Sequence, residues 1–285
     1  MIRLSGIAHA KLNLTLDVLG RRPDGYHDLK MVMQEITLGD ALEIELGTGE
    51  PWSMTCSSGD LPCDDTNLCI KAARLFFQET GIDCGGLRIH LNKVTPSCAG
   101  MGGGSADGAA VLRLLWSHYE RPIPEEALFS IAEQVGSDVP FTLLGGTALA
   151  EEKGQILTAL PPMPQCHLVI CKPAFPISTP ALFSAIDQAE ILARPNTEAM
   201  VEALERQDLA VIAHLLSNVF TPVVAQDHHE IADIRDTMLC SGALGAEMTG
   251  SGPTVFGIFT EPALAAACLT RLKGRYPDTF MARPV

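Results

Sequence analysis

Four of the five residues in Gly100-Met101-Gly102-Gly103-Gly104 are glycine, and a helical pattern follows them directly, strongest from Ala109 to Tyr119. A stretch this bare has no side chains to shield its backbone, so consecutive N–H groups can converge on one anion. The N-terminal dipole of the following helix faces the same point, and Ser105 adds a hydroxyl there. Each such contribution is worth about 0.3–2 kcal/mol for a partly buried anion. Several together would hold a polyphosphate. Two common phosphate loops do not fit. No glycine here is followed by the Lys of G-x-x-x-x-G-K-[ST], and a G-x-G-x-x-G run begun at Gly100 meets Ser105 where glycine is required. On these residues alone, a glycine-rich turn that binds nothing stays open.

Charge makes the loop more informative. The 285 residues carry a formal net charge of −14 with 20 Lys plus Arg scattered along the chain. A polyanion such as nucleic acid, or an acidic membrane, is repelled by most of such a surface. An anionic ligand must then be met locally, by main-chain amides and a few placed cations. No apolar run approaches the ~20 residues needed to cross a bilayer, so the mean hydropathy of +0.19 signals a large core. Met1–Ile7 lacks a cationic stretch followed by an apolar segment, so no secretory signal is expected and a cytoplasmic location is. Nine cysteines, none in C-x-x-C spacing, read as reduced thiols, most of them small buried hydrophobes.

The order of elements argues an α+β fold. In the segment from Ile7 to Val18, Leu12, Leu14 and Leu16 alternate with Lys11, Asn13, Thr15 and Asp17, a strand with one buried and one polar face. Turn residues Gly20 to Gly25 follow, then strands at 30–36 and 41–46 separated by Gly39-Asp40. Helices are predicted at 68–79, capped by Asp65-Thr66-Asn67 and closed by Gly81, and at 125–135. A strand is predicted at 86–91, and a strand pair or tight bend at 141–150 around Gly145-Gly146. Beyond the Pro161-Pro162-Met163-Pro164 cluster come a strand at 167–171 and helices at 179–186, 197–205, 209–215 and 229–239. A strand at 254–259, a helix at 262–273 and a strand near 279–283 complete the chain. Glu151-Glu152-Lys153 reads as a solvated loop, Asp60, Asp64 and Asp65 as an exposed connection, and His228-His229-Glu230 as a helix start. The expected organisation is two lobes, 1–155 and 156–285.

Three further segments bear on chemistry. Lys11 lies on the polar side of the first strand, and taken singly reads as solvated surface. Asp138, in Gly136-Ser137-Asp138-Val139-Pro140-Phe141, reads equally well as a turn cap. Met248-Thr249-Gly250-Ser251-Gly252-Pro253 reads first as a hairpin or bend, with a second backbone nest as the alternative.

Together, Ala10-Lys11-Leu12-Asn13-Leu14, the 100–105 loop, the Asp138 segment and the 248–253 segment, in that order, resemble the GHMP small-molecule kinases. Two more segments, Gly20-Arg21-Arg22-Pro23-Asp24-Gly25-Tyr26-His27 and Ile177-Ser178-Thr179-Pro180-Ala181-Leu182-Phe183, resemble a subfamily acting on a cytidyl-linked erythritol in isoprenoid precursor synthesis. The resemblance implies a two-lobed architecture with the active site in the cleft between lobes, ATP as phosphoryl donor and Mg²⁺ with it. It makes Pro96-Ser97-Cys98-Ala99-Gly100-Met101-Gly102-Gly103-Gly104-Ser105-Ala106 the ATP loop. Asp138 would take the proton of the acceptor hydroxyl or orient it, and Lys11 would bond both and offset developing charge. Asn13 and Thr179 would fix the substrate, Tyr26 and Phe183 would sandwich the cytosine, and His27 would read its edge. Such stacking is worth about 1–3 kcal/mol per base. The chain departs from the family at Ser97-Cys98-Ala99, where glycines are usual, and at Ala106 and Gly108. The motifs offer no evident metal ligand. A kinase for another small alcohol and a silent nucleotide-binding homologue are the alternatives. Expected partners are the small-molecule substrate alone, without nucleic acid or membrane, in a monomer or homodimer.

Overall fold

Two strands of twenty residues each, β1 (Ile2–Arg21) and β2 (His27–Leu46), open the chain in the computed structural model, which describes residues 1–59 and 61–285. Asp60, read with Asp64 and Asp65 as an acidic connection, lies outside the described residues. The turn between the strands closes through Arg22 N–H to Tyr26 C=O (2.7 Å) and Gly25 N–H to Arg22 C=O (3.1 Å). β2 is one strand, not two. A Cβ on Gly39 would stand 2.6 Å from the Ala8 carbonyl oxygen, so the glycine serves a close backbone approach, not a turn. Asp40 is fully buried, and its Oδ1 accepts from Val94 N–H (2.6 Å) and Thr95 N–H (2.7 Å).

The polar face of β1 also differs from expectation. Lys11, Asn13, Thr15 and Asp17 are as buried as Leu12, Leu14 and Leu16. Buried polar groups need partners, and they have them. Thr15 Oγ1 accepts Val32 N–H at 3.1 Å, and Asp17 Oδ1 accepts from Arg194 at 2.6 Å.

The chain forms two compact units that interleave along the sequence. One comprises residues 1–10, 39–97 and 102–144; the other comprises 11–38, 98–101 and 145–285. The first adds β3 (Ser53–Cys56), α1 (Leu68–Thr80), β4 (Leu87–Asn92), α2 (Gly103–His118), α3 (Glu125–Val135) and α4 (Val139–Leu144). Ala41–Leu46 of β2 pair antiparallel with β4, and β3 runs parallel to β4. Leu42, Ile44, Ile89 and Leu91 meet Phe76, Val111, Leu112 and Ile131 from the helices in one core. Asn67 caps α1 by accepting Cys69 N–H, and Gly81 ends it at φ 67°. α2 starts six residues before its apolar pattern does. Its first two turns are built from small residues, and a Cβ on Gly108 would lie 3.2 Å from Leu68 C=O, so α2 passes close to the start of α1 without large apolar side chains to signal it.

The second unit contains β5 (Thr147–Glu152), β6 (Ile156–Ala159), β7 (His167–Cys171), α5 (Thr179–Ile186), α6 (Thr197–Glu205) and α7 (Leu209–His214). It continues with β8 (Ser217–Asn218), α8 (Thr221–Asp227), α9 (Glu230–Cys240), β9 (Gly245–Met248), β10 (Val255–Phe259), α10 (Pro262–Lys273) and β11 (Thr279–Ala282). β5 pairs antiparallel with Leu29–Gln34 of β2 and with β6, and β8 pairs parallel with β1 at Thr15 and Leu16. A second sheet runs β11-β7-β10-β9, with α9 packed on β9 and β10 and α10 on β7 and β11. In the 248–253 segment Met248 ends β9, and the residues after it form the hairpin loop leading to β10.

Of the strand pair or tight bend expected at 141–150, the bend is the one present: residues 141–144 end α4, Gly145 and Gly146 turn at φ 77° and 64°, and a single strand follows. Local expectations are corrected in two places. Glu151 and Glu152 belong to β5 instead of a loop. All nine cysteines are free thiols, but four are buried (Cys69, Cys166, Cys171 and Cys268), so the buried reading does not hold for most. Burial pushes the Cys166 and Cys171 thiols up to about 12. His229 does stand at the start of α9. Among the described residues, no helix is long and apolar enough to cross a membrane.

Candidate functional site

In the second unit, β1 carries Lys11 and Asn13 against two glycine-bearing loops. Lys11 N–H donates to Met101 C=O at 3.0 Å, which ties the strand to the 98–101 segment. Lys11 Nζ donates to Asn13 Oδ1 at 2.7 Å, and both side chains are buried. Asn13 N–H donates to Thr249 Oγ1 (2.9 Å), whose hydroxyl donates back to Asn13 Oδ1 (3.4 Å). The amide of Asn218, also buried, donates to Met248 C=O (2.8 Å) and Gly250 C=O (2.9 Å).

The two loops meet back to back. A Cβ on Gly100 would overlap the Thr249 carbonyl oxygen, and one on Gly250 would lie 2.5 Å from the Gly100 carbonyl oxygen. Gly100 and Gly250 also take φ of 73° and 58°, a region that disfavours any side chain. Cys98, an exposed non-glycine residue, takes φ 51° in the same stretch. Ala99 and Met101 point inward, at 4% and 1% exposure. Thr179, at the start of α5, is exposed, with its Oγ1 2.9 Å from Ser251 Oγ.

In the first unit, Pro96 and Ser97 lead toward the loop, and Gly102 opens α2 in the left-handed conformation (φ 64°). No side chain caps α2 and no acid lies in its first turn. Ala106 N–H donates to Gly102 C=O (2.8 Å), which leaves the N–H groups of Gly103, Gly104 and Ser105 outside the helix's own ladder. That is the arrangement an anion requires. Beneath it, Lys93 Nζ donates to Asp40 Oδ2 (2.5 Å) and Asp107 Oδ2 (2.8 Å), all three side chains being nearly inaccessible. Burial raises the Asp107 carboxyl to about 7; Lys93 opposes the rise and Asp40 adds to it. Burial pulls the Lys93 ammonium down, but Asp107 and Asp40 outweigh it and hold it above its ordinary range. Asp138 is half-buried and immediately precedes α4, with its C=O accepting Thr142 N–H at 3.1 Å.

The aromatic residues lie in the second unit. His27 stacks on Phe183 with ring centroids 4.7 Å apart and planes 24° apart. Phe220 meets Phe183 edge-on at 5.1 Å. His27 Nε2 lies 2.8 Å from Asp187 Oδ1. Tyr26 is 63% exposed, with the Lys153 ammonium 5.1 Å from its ring centroid.

The fold thus brings Lys11 to Asn13 and Met101, Thr179 to Ser251, and His27 to Phe183. Sequence reasoning missed Thr249 as the partner of Asn13, the Asn218 clamp, the Lys93–Asp40–Asp107 cluster and Asp187. Only Asp187 left a readable signal, since it follows Phe183 by one helical turn and shares its face.

Comparisons with known proteins agree with one another. The model of the GHMP kinases N terminal domain matches residues 67–146, and that of the GHMP kinases C terminal domain matches 200–278. A 4-diphosphocytidyl-2-C-methyl-D-erythritol kinase of Pelotomaculum thermopropionicum is 44% identical over 258 residues, 90% of each chain. One from Clostridium botulinum is 37% identical over 279 residues, covering 98% of this chain and 99% of that one. A crystal structure of 4-(cytidine 5'-diphospho)-2C-methyl-D-erythritol kinase superposes with a TM-score of 0.83 at 30% identity, covering 99% of both chains. Homoserine kinase from Cytophaga hutchinsonii superposes at 0.78 with 18% identity, covering 99% of this chain and 94% of that one, a likeness of fold.

Proposed function

The chain belongs to the GHMP kinase family, and on that premise we propose that it transfers the γ-phosphoryl group of ATP to the 2-hydroxyl of 4-diphosphocytidyl-2-C-methyl-D-erythritol, in cytoplasmic isoprenoid precursor synthesis. What carries the substrate assignment beyond family likeness is the stacked His27–Phe183 pair beside an exposed Tyr26. A planar base has a use for aromatic faces; homoserine and mevalonate have none.

Phosphoryl transfer asks a protein mainly for positioning and charge stabilisation. The 96–106 loop holds the triphosphate through those of its main-chain N–H groups that remain unpaired, with Gly103, Gly104 and Ser105 being outside the α2 ladder. Asp138 receives or orients the acceptor proton, and Lys11 offsets the negative charge that develops on the attacking oxygen. Asn13, fixed by Thr249, and Thr179, bonded to Ser251, position the substrate, while Tyr26 and Phe183 take the faces of its base. Mg²⁺ accompanying the nucleotide would supply charge neutralisation when bound. Among the described residues no group of three His, Cys, Asp or Glu side chains is assembled for a metal, so no residue is assigned to it and no step is routed through it.

The test is direct. Purified protein with ATP and, separately, the cytidyl-linked erythritol, homoserine and mevalonate should release ADP and form a new phosphomonoester with the first alone. Turnover of either other alcohol without the first would replace the substrate assignment, and no turnover of any would favour a silent homologue.

A further inference from the structure

His27 is held more firmly than a residue that merely lines a surface. Its ring face lies on Phe183, and its side chain is 8% exposed. Nε2 stands 2.8 Å from Asp187 Oδ1, while the Arg21 guanidinium lies 3.8 Å from the other Asp187 oxygen. Nδ1 has no protein partner among the described residues. Phe183 in α5 and Asp187, the C-cap of that helix, are one turn apart, so the same helical face supplies both constraints.

The chemistry of these partners assigns the protons. An ionised carboxylate only accepts hydrogen bonds, so the nitrogen facing it carries the hydrogen. A neutral imidazole has one N–H and one lone pair, which leaves Nδ1 as an acceptor. Pinned on a face and at one edge, the ring has no freedom to present its other nitrogen.

We propose that Asp187 is a positioning residue that locks His27 in the Nε2–H tautomer, making the base site a reader of an exocyclic amine and thereby selecting a cytidyl over a uridyl substrate. The inference rests on the assignment of His27 to the base edge in the function proposed above. Cytosine offers an amino donor where uracil offers a carbonyl oxygen. An Nδ1 lone pair bonds the first and repels the second. Sites built to bond a particular polar group reject the wrong one by about 10⁴-fold or more when fully enclosed; a partly open site gives less.

Two measurements test this. Nitrogen-15 NMR of the imidazole in the intact wild-type protein at pH 8 should show His27 as the neutral Nε2–H form; an Nδ1–H form, or an imidazolium, overturns the proposal without reference to activity. In kinetics, Asp187→Ala and Asp187→Val each remove the acceptor that holds the proton on Nε2 and free it to move. The ratio of kcat/KM for the cytidyl over the uridyl substrate should then fall at least about tenfold, with kcat at saturating cytidyl substrate nearly retained. An unchanged ratio in folded variants overturns the inference while leaving the kinase assignment standing. Failure of the wild-type protein to turn over the cytidyl substrate overturns the assignment itself, and the base contact with it.

Discussion

Lys11 looks like surface in the sequence because β-strand alternation places it opposite three leucines. Its stem is buried, its backbone holds Met101 and its ammonium holds Asn13. A charge kept inside at that cost suits a residue that works on developing charge. Lys11→Met and Asp138→Asn should each lower kcat by about 100-fold or more with the fold intact by circular dichroism. Tyr26→Ala should instead raise KM for the cytidyl substrate by about tenfold, the lower half of what base stacking supplies; matching kinetics of all three variants would contradict the division of roles. Asp107 gives a prediction about pH. Its carboxyl titrates near 7 in the folded protein and near 3.8 when unfolded. Between those values the unfolded chain has released the proton and the native one has not, so stability falls as pH rises and levels off above about 7. Asp107→Asn, which mimics the protonated form, should gain in Tm over the wild-type protein from pH 4 to 7 and hold a constant lead above it. A lead that does not change with pH would show that Asp107 does not titrate there.

Among the elements, those with large apolar side chains at helical or alternating spacing were legible. The helices at 125–135, 179–186, 197–205 and 262–273 have the bounds expected of them. Elements made of small or polar residues were not. The first turns of α2 lack apolar periodicity, and the Gly39-Asp40 pair carries the composition of a turn inside an unbroken strand. In both, a glycine is present for what approaches it from elsewhere in the chain, which local sequence cannot express. The glycine-rich loop at 100–104 was legible as composition, but the packing of the Gly250 loop against it was not. Gly39→Ala should cost about 1–3 kcal/mol by forcing a methyl onto the Ala8 carbonyl. Gly250→Ala pushes on Gly100 instead, so its larger effect should be on KM for ATP, up about tenfold or more. Equal KM values for ATP in the two variants would separate the loops functionally.

At the scale of the whole molecule, neither compact unit is a continuous piece of chain. The sequence suggested a division near the Pro161–Pro164 cluster, since proline and a composition shift are all that a boundary can show locally. The second unit nonetheless includes residues 11–38, whose Leu12, Leu14, Val32 and Met33 are buried. Fragments 1–155 and 156–285 expressed separately should therefore lack cooperative thermal transitions, and regain one when mixed or co-expressed. A sharp transition in isolated 156–285 would contradict this.

Interleaving also governs the order of events at the ribosome. The strand residues 11–38 emerge early, yet many of their companions lie beyond residue 145. At about 5–20 residues per second, the 106 residues from 39 to 144 take on the order of 5–20 seconds to synthesise before the first of these later companions is made. For that interval a run of Leu, Val and Met side chains waits in the nascent chain without its final cover, which makes the early part of translation the time when this protein has most need of a chaperone.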